Sequence, residues 1–180
     1  MRGCQMNSWE KQFRNDLGEN RFIGDQYQKL SVAVVQELKA REQTLTAAES
    51  LTAGLLQATL ADVAGASQVF GGGFVTYSLA VKAQLLKINY EQLEQHGVVS
   101  TWTARQMAQQ SSQILASDWG LGLTGVAGPG LLEGQPAGTV FIALAGPQPT
   151  QVQQFQFSGD RQQIRRKSVV AAFIMLINSL

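Results

Sequence analysis

The chain reads as a three-layer α/β/α fold around a mixed, mostly parallel sheet of about five strands, on three observations. Helical and strand-like segments alternate through most of its length, the pattern that builds parallel β-α-β units. Thr139–Ala145 is apolar at nearly every position, as in a strand covered on both faces. The next strand follows through a short link at Gly146-Pro147. A parallel crossover needs about a dozen residues or more, so this last pair must be antiparallel.

Taken in order, residues 1–24 are charged, Asn-rich and without clear periodicity, and are expected to be a loosely ordered extension. Residues 25–180 are expected to form the one folded domain. Tyr27, Leu30, Val34 and Leu38 recur at helical spacing, with Lys29, Glu37 and Lys39 between them. A short strand at Thr44–Ala48 then meets Ser50, and a second helix is expected from about Thr52 to Val63, stopped by Gly65. Gly72–Ser78 reads as a strand, Ala80–Lys87 as a helix, and Gln95-His96-Gly97 as a turn. Thr101–Ala116 is a further helix and Leu121–Val126 a buried strand. The Gly/Pro-rich segment Ala127–Gly138 is a loop. In Gln151–Phe157 the aromatic Phe155 and Phe157 alternate with Gln154 and Gln156, which suits an edge strand. Arg161–Leu180 closes the chain as a long helix whose second half is apolar nearly all round, so it is either deeply buried or set in a subunit interface.

Composition removes many chemistries. Cys4 is the one cysteine and His96 the one histidine, too few for a structural zinc site, and an intramolecular disulfide is impossible. The single cysteine fits a cytoplasmic protein. The longest apolar run, Val169–Ile177, falls well short of the ~20 residues that span a bilayer. The first residues have no apolar stretch of the kind that marks a signal peptide. Fourteen basic against thirteen acidic side chains give a formal charge of +1, which points to neither a nucleic-acid nor a membrane partner.

Two segments carry chemistry: Ala48-Glu49-Ser50-Leu51-Thr52-Ala53-Gly54 and Phe74-Val75-Thr76-Tyr77-Ser78 followed by Lys82. Ser50 stands where a strand should end and a helix begin. There it is either an N-cap or a nucleophile whose oxyanion would be held by N–H groups of the helix start. Glu49 beside it either orients an amide or neutralises the helix start. Lys82 is either a solvated helix lysine or a base, and the base role needs burial or nearby positive charge to bring its pKa from ~10.4 to ~7–8. A nicotinamide redox site is disfavoured. Val81 occupies the lysine position of a Tyr-x-x-x-Lys motif, and no Gly-x-Gly-x-x-Gly follows the first strand. Leu123–Pro129, with Thr124, Gly125 and Gly128, is either an ordinary strand exit or a backbone cradle for a ligand. Arg161, Arg165, Arg166 and Lys167 form either a solvated helix face or, through Arg161, a phosphate contact.

The order of these motifs is more telling than any one of them. Ala-Glu-Ser-x-Thr-x-Gly, Gly-Phe-Val-Thr-Tyr-Ser-x-x-x-Lys, Gln-His-Gly-Val-Val-Ser, Thr-Gly-Val-Ala-Gly-Pro, Pro-Ala-Gly-Thr-Val and Gly-Asp-Arg follow one another from Ala48 to Arg161. The chain from about Leu30 onward thereby resembles the CinA C-terminal domain family, which includes stand-alone nicotinamide-nucleotide amidases. The resemblance implies hydrolysis of nicotinamide mononucleotide to nicotinate mononucleotide and ammonia, without metal or other cofactor. It implies Ser50 as nucleophile, Lys82 as base, and Tyr77 as a proton relay or positioning group. Glu49, Thr52, Gly54, Thr124, Gly125, Gly128 and Arg161 would bind the nucleotide substrate, and a homo-oligomer, a dimer first, is expected. The family usually has Cys-Thr-Gly-Gly after the serine, Asn-Glu after Tyr-Ser and Asp-Gly-Gly after Gly-Pro. Here Leu51, Ala53, Leu79, Ala80, Leu131 and Leu132 stand at those places. These departures favour a second reading, a nucleotide- or partner-binding module that kept the fold and lost the amidase.

Overall fold

The computed structural model describes residues 25–180; the expected extension at 1–24 lies outside the described residues. Helix α1 (Asp25–Ala40) leads into strand β1 (Leu45–Glu49), helix α2 (Leu55–Ala61), a single 3₁₀ turn at Ala66–Gln68, and the short strand β2 (Phe74–Val75). Helices α3 (Leu79–Leu86), α4 (Tyr90–His96) and α5 (Thr101–Leu115) precede β3 (Trp119–Gly125), β4 (Thr139–Ala145), β5 (Gln151–Gln156) and helix α6 (Arg161–Ile177).

The sheet has five strands in the order β2-β1-β3-β4-β5. β1 pairs in parallel with both β2 and β3, while β3–β4 and β4–β5 are antiparallel, so the parallel part is two pairings of the four. Helices α1, α2 and α6 cover one face and α3, α4 and α5 the other. β1, β3 and β4 are buried at every residue, as strands covered on both sides must be, and β5 is the half-exposed edge that its alternation foretells.

Packing explains the rest. Leu30, Val34, Val35 and Leu38 of α1 meet Val169–Leu176 of α6 in the main core. The apolar half of α6 is therefore covered by its own chain. On the other face, Gly120 and Gly122 let α5 come very close to β3: a Cβ at either would stand 2.2 Å from the Ala108 carbonyl oxygen or 2.3 Å from that of Ala104. Asp160 begins α6 with a capping box to Gln163.

Three elements differ from the sequence expectations. α2 starts at Leu55, not Thr52, because Ala53 (φ 48°) and Gly54 (φ 89°) are left-handed and break the helical entry. β2 keeps only Phe74–Val75 of Gly72–Ser78, since Ser78 leaves the sheet to cap α3, accepting from the Val81 N–H. Gln95 and His96 of the expected turn instead end the unforeseen helix α4, which Asn89 starts by accepting from the Gln92 N–H, and Gly97 closes it.

Candidate functional site

The parallel strands place their carboxyl ends together. After β1 the chain turns to α2 on one face; after β2 it turns to α3 on the other. Adjacent parallel strands whose connections part this way open a crevice at their carboxyl ends. Two hydrogen bonds extend the strand ladder to that edge: Ser50 N–H to the Leu123 carbonyl at 2.9 Å and Thr76 N–H to the Glu49 carbonyl at 2.8 Å.

Ser50 follows β1 at once, and Lys82 lies on the first turns of α3. Lys82 Nζ is 3.0 Å from Ser50 Oγ and donates to the Thr76 carbonyl at 2.8 Å. The lysine is wholly buried and Ser50 is 8 % exposed, so the serine is the face of this pair that a ligand can reach. Burial pushes the Lys82 pKa down from 10.5 to about 8, against a smaller upward push from the negative charge of Glu133. A buried amine that gives up its proton near pH 8, touching a serine hydroxyl, is chemically able to take the proton of that hydroxyl. Ser50 is not an N-cap, because α2 begins five residues later and Gly54 occupies its cap position.

Glu49 resolves to one of its two expected roles. Its carboxylate is fully buried and accepts from the N–H groups of Gly54 (3.0 Å), Leu56 (3.1 Å) and Gln57 (3.0 Å). It neutralises the start of α2 and spends the donors that were expected to hold an oxyanion. Thr52 is wholly buried, with a hydroxyl that has no hydrogen-bond partner among the described residues, and Gly54 abuts Val75. Glu49, Thr52 and Gly54 thus lie behind the wall of the cleft, not on it.

The cleft beside Ser50 has a volume of about 240 Å³. Thr124, Gly125, Gly128, Tyr77 and Arg161 all line it, as expected, together with Leu131 and Leu132. Thr124 is buried and its hydroxyl donates to the Val98 carbonyl at 2.5 Å, fixing the β3 exit against the turn before α5. Gly125 is required there, since a Cβ would sit 2.5 Å from the Thr139 carbonyl oxygen. Tyr77 is exposed and does not stand between serine and lysine. Its hydroxyl accepts from Arg161 at 2.8 Å, while a second Arg161 nitrogen donates to the Gly128 carbonyl at 2.8 Å.

One residue of the site, Glu133, escaped the sequence reading, and another, Arg165, was read only as part of a run of cations. Glu133 reaches from the loop after β3 and accepts from the Val98 and Val99 N–H groups, both at 3.0 Å, pinning the segment that carries Leu131 and Leu132. Arg165, half-buried on α6, donates to the Leu51 carbonyl at 3.1 Å and to the Thr52 carbonyl at 2.7 Å. Two of the departures from the family pattern are taken up by packing: Leu51 belongs to the main core, and Leu79 packs against a cluster of Ala48, Leu86, Ile88, Leu93 and Met107, while Ala53, Ala80, Leu131 and Leu132 are exposed. Among the described residues, no three His, Cys, Asp or Glu side chains are grouped as metal ligands would be, and no helix is long and apolar enough to cross a membrane.

Comparison with known proteins adds to this geometry. Residues 27–180 match the model of the CinA C-terminal domain. A competence-damage inducible protein of Streptococcus pneumoniae is 51 % identical over 152 residues, which is 84 % of this chain and 36 % of that protein. The Streptococcus agalactiae counterpart is 51 % identical over 148 residues, 82 % of this chain and 35 % of its own length. The chain thus spans about a third of the curated relatives it matches. Among solved structures, the competence damage-inducible protein A of Klebsiella pneumoniae superposes with a TM-score of 0.82 at 32 % identity, covering 84 % of this chain and 95 % of that one. A CinA superfamily protein of Escherichia coli superposes with a TM-score of 0.83 at 30 % identity, covering 88 % and 94 %.

Proposed function

The chain belongs to the CinA C-terminal domain family, and from its site we propose that it is a serine–lysine amidase acting on nicotinamide mononucleotide. The observation that carries this reading is the 3.0 Å contact between Ser50 Oγ and a buried Lys82 Nζ. Neutral Lys82 takes the hydroxyl proton directly as Ser50 Oγ bonds to the carboxamide carbon, and the carbonyl electron pair moves onto oxygen. Collapse of that intermediate breaks the C–N bond, and the proton held by Lys82 passes to the departing nitrogen, which leaves as ammonia. Water, deprotonated by the same amine, then cleaves the nicotinoyl ester and restores Ser50.

Pockets for drug-sized ligands hold about 300–1,000 Å³. At about 240 Å³ the cleft suits the amide-bearing ring, with the ribose phosphate across its open mouth. Arg161 stands at that mouth, and its guanidinium suits a phosphate. Tyr77 then orients Arg161 instead of relaying a proton. The second reading, a binding module without activity, rested on the altered neighbours of the serine and tyrosine. Leu51 and Leu79 pack into apolar clusters, which supports the first reading. The test is a coupled ammonia-release assay with nicotinamide mononucleotide. Turnover that Ser50→Ala abolishes upholds the proposal, and a wild-type protein that releases no ammonia overturns it.

A further inference from the structure

We propose that Arg165 is a positioning residue, holding the Leu51 and Thr52 carbonyls that follow the nucleophile so that the Leu51 N–H serves as oxyanion donor; this rests on Ser50 being the nucleophile. Between residues 50 and 57 almost every backbone N–H is spent. Ser50 donates to Leu123, Ala53 to Ser50, and Leu55 to Thr52, while Gly54, Leu56 and Gln57 donate to the Glu49 carboxylate. Only the N–H groups of Leu51 and Thr52 have no acceptor among the described residues. Leu51 lines the cleft beside Ser50 and Thr52 does not. An oxyanion formed on Ser50 therefore has the Leu51 N–H as its nearest unspent donor within the nucleophile's own turn.

That turn needs an outside hold. Ala53 is a non-glycine residue at φ 48°, next to Gly54 at φ 89°, a backbone path that persists only where its surroundings over-determine it. The outside hold comes from another layer of the fold. Arg165 donates through Nε to the Leu51 carbonyl and through a terminal nitrogen to the Thr52 carbonyl, a two-point grip that the rigid guanidinium fork makes and a lysine cannot. The grip keeps the Leu51 carbonyl on a positive charge. A carbonyl turned into the cleft would instead repel the developing oxyanion. Arg161 and Arg165 are four apart on α6 and share one face, so the helix that offers Arg161 to the cleft also braces the serine turn.

The experiment measures the rate at which a fluorophosphonate labels Ser50 in wild type, Arg165→Ala and Arg165→Lys, alongside thermal melting and the pH dependence of labelling. Labelling needs an activated serine and an oxyanion site but not the amide substrate. Arg165→Ala is expected to stay folded and to label about ten- to a hundred-fold more slowly, a share of the ~10²–10³ that one oxyanion donor supplies. Its midpoint of pH dependence should be unchanged because Lys82 is untouched. Added guanidinium should recover part of the rate, and Arg165→Lys should fall between. Equal labelling by wild type and Arg165→Ala overturns the assignment, as does a slowdown that guanidinium leaves untouched or that comes with a shifted midpoint. Should Arg165→Ala fail to fold, the same rate and midpoint decide the matter in Arg165→Lys. If wild type labels but releases no ammonia from the mononucleotide, the amidase reading fails and this one stands on the labelling comparison. A wild-type Ser50 that takes no label overturns both.

Discussion

Two buried lysines divide this molecule. Lys82, at the carboxyl edge of the parallel strands, and Lys167, midway along α6, both donate to a backbone carbonyl at 2.8 Å, Thr76 for the first and Ser158 for the second. Burial lowers the pKa of both. Lys82 also has a serine hydroxyl at 3.0 Å, and that serine is the one at the cleft. Desolvation makes an amine able to accept a proton near neutral pH; it does not make it a catalyst. On the proposed reading, a proton to take, on an atom facing the substrate, does that.

The largest test of this contrast removes the proton. Ser50→Ala is expected to cut ammonia release by about 10³-fold or more while the thermal melt hardly moves, since the hydroxyl caps no helix. A variant with wild-type turnover would reduce Ser50 to packing. Next comes a matched pair. Lys82→Met should lose about 10²–10⁴-fold, the usual worth of a general base, while Lys167→Met should retain its turnover. Equal losses in folded proteins would erase the distinction between the two regions.

Arg161→Ala concerns the far side of the cleft. One charge-assisted contact is worth ~1.5–3 kcal/mol, so kcat/KM for nicotinamide mononucleotide should fall about ten- to a hundred-fold, and that for the dephosphorylated riboside should change little. Equal falls would make Arg161 a support for Tyr77 and Gly128 only.

Stability sharpens the comparison from the other direction. An unfolded Lys82 would hold its proton up to about pH 10.5, whereas the folded one releases it at about 8. Between those values the unfolded chain binds more protons, so stability rises with pH there. Below pH 8 both forms are charged and the full burial cost is present. At ~1.36 kcal/mol per pKa unit, Lys82→Met should gain up to about 3 kcal/mol at pH 7 and lose the slope between pH 8 and 10.5. Denaturant titrations across that range would show it, and a wild-type curve flat over the interval would count against a buried, readily neutralised Lys82.

The smallest effect concerns Glu133. The rate should rise with pH through a midpoint of about 8 as Lys82 becomes neutral. The charge of Glu133 favours protonated Lys82, so Glu133→Gln should move that midpoint to lower pH. A midpoint that stays or rises would mean that Glu133 acts only by pinning its loop.

Much of this was legible in the residues. The antiparallel end of the sheet followed from a link too short for a crossover, and the edge position of β5 from its alternation. Ser50 and Lys82 stood out because strand exits and the motif order mark them. The orientation of Glu49 did not, because it depends on the left-handed pair Ala53-Gly54, and an alanine gives no sign of that conformation. The family resemblance put Glu49, Thr52 and Gly54 on the substrate, and the turn places them behind the wall of the cleft instead. Helix α4 is only seven residues long, and its Asn89 cap with Gln92 three positions later was the one signal available. Arg165 was hidden in a run of cations; its place one helical turn after Arg161 was the clue.

The close approach of α5 to β3 sets a tolerance. At Gly120 and Gly122 helix and strand meet main chain against main chain, with the Cβ atoms of Ser112 and Met107 beside them. α5 begins at Thr101, directly after the Val98–Val99 wall of the cleft, so the wall inherits the same fixed gauge. A single methyl group on either glycine would act as a wedge between helix and strand and shift that wall.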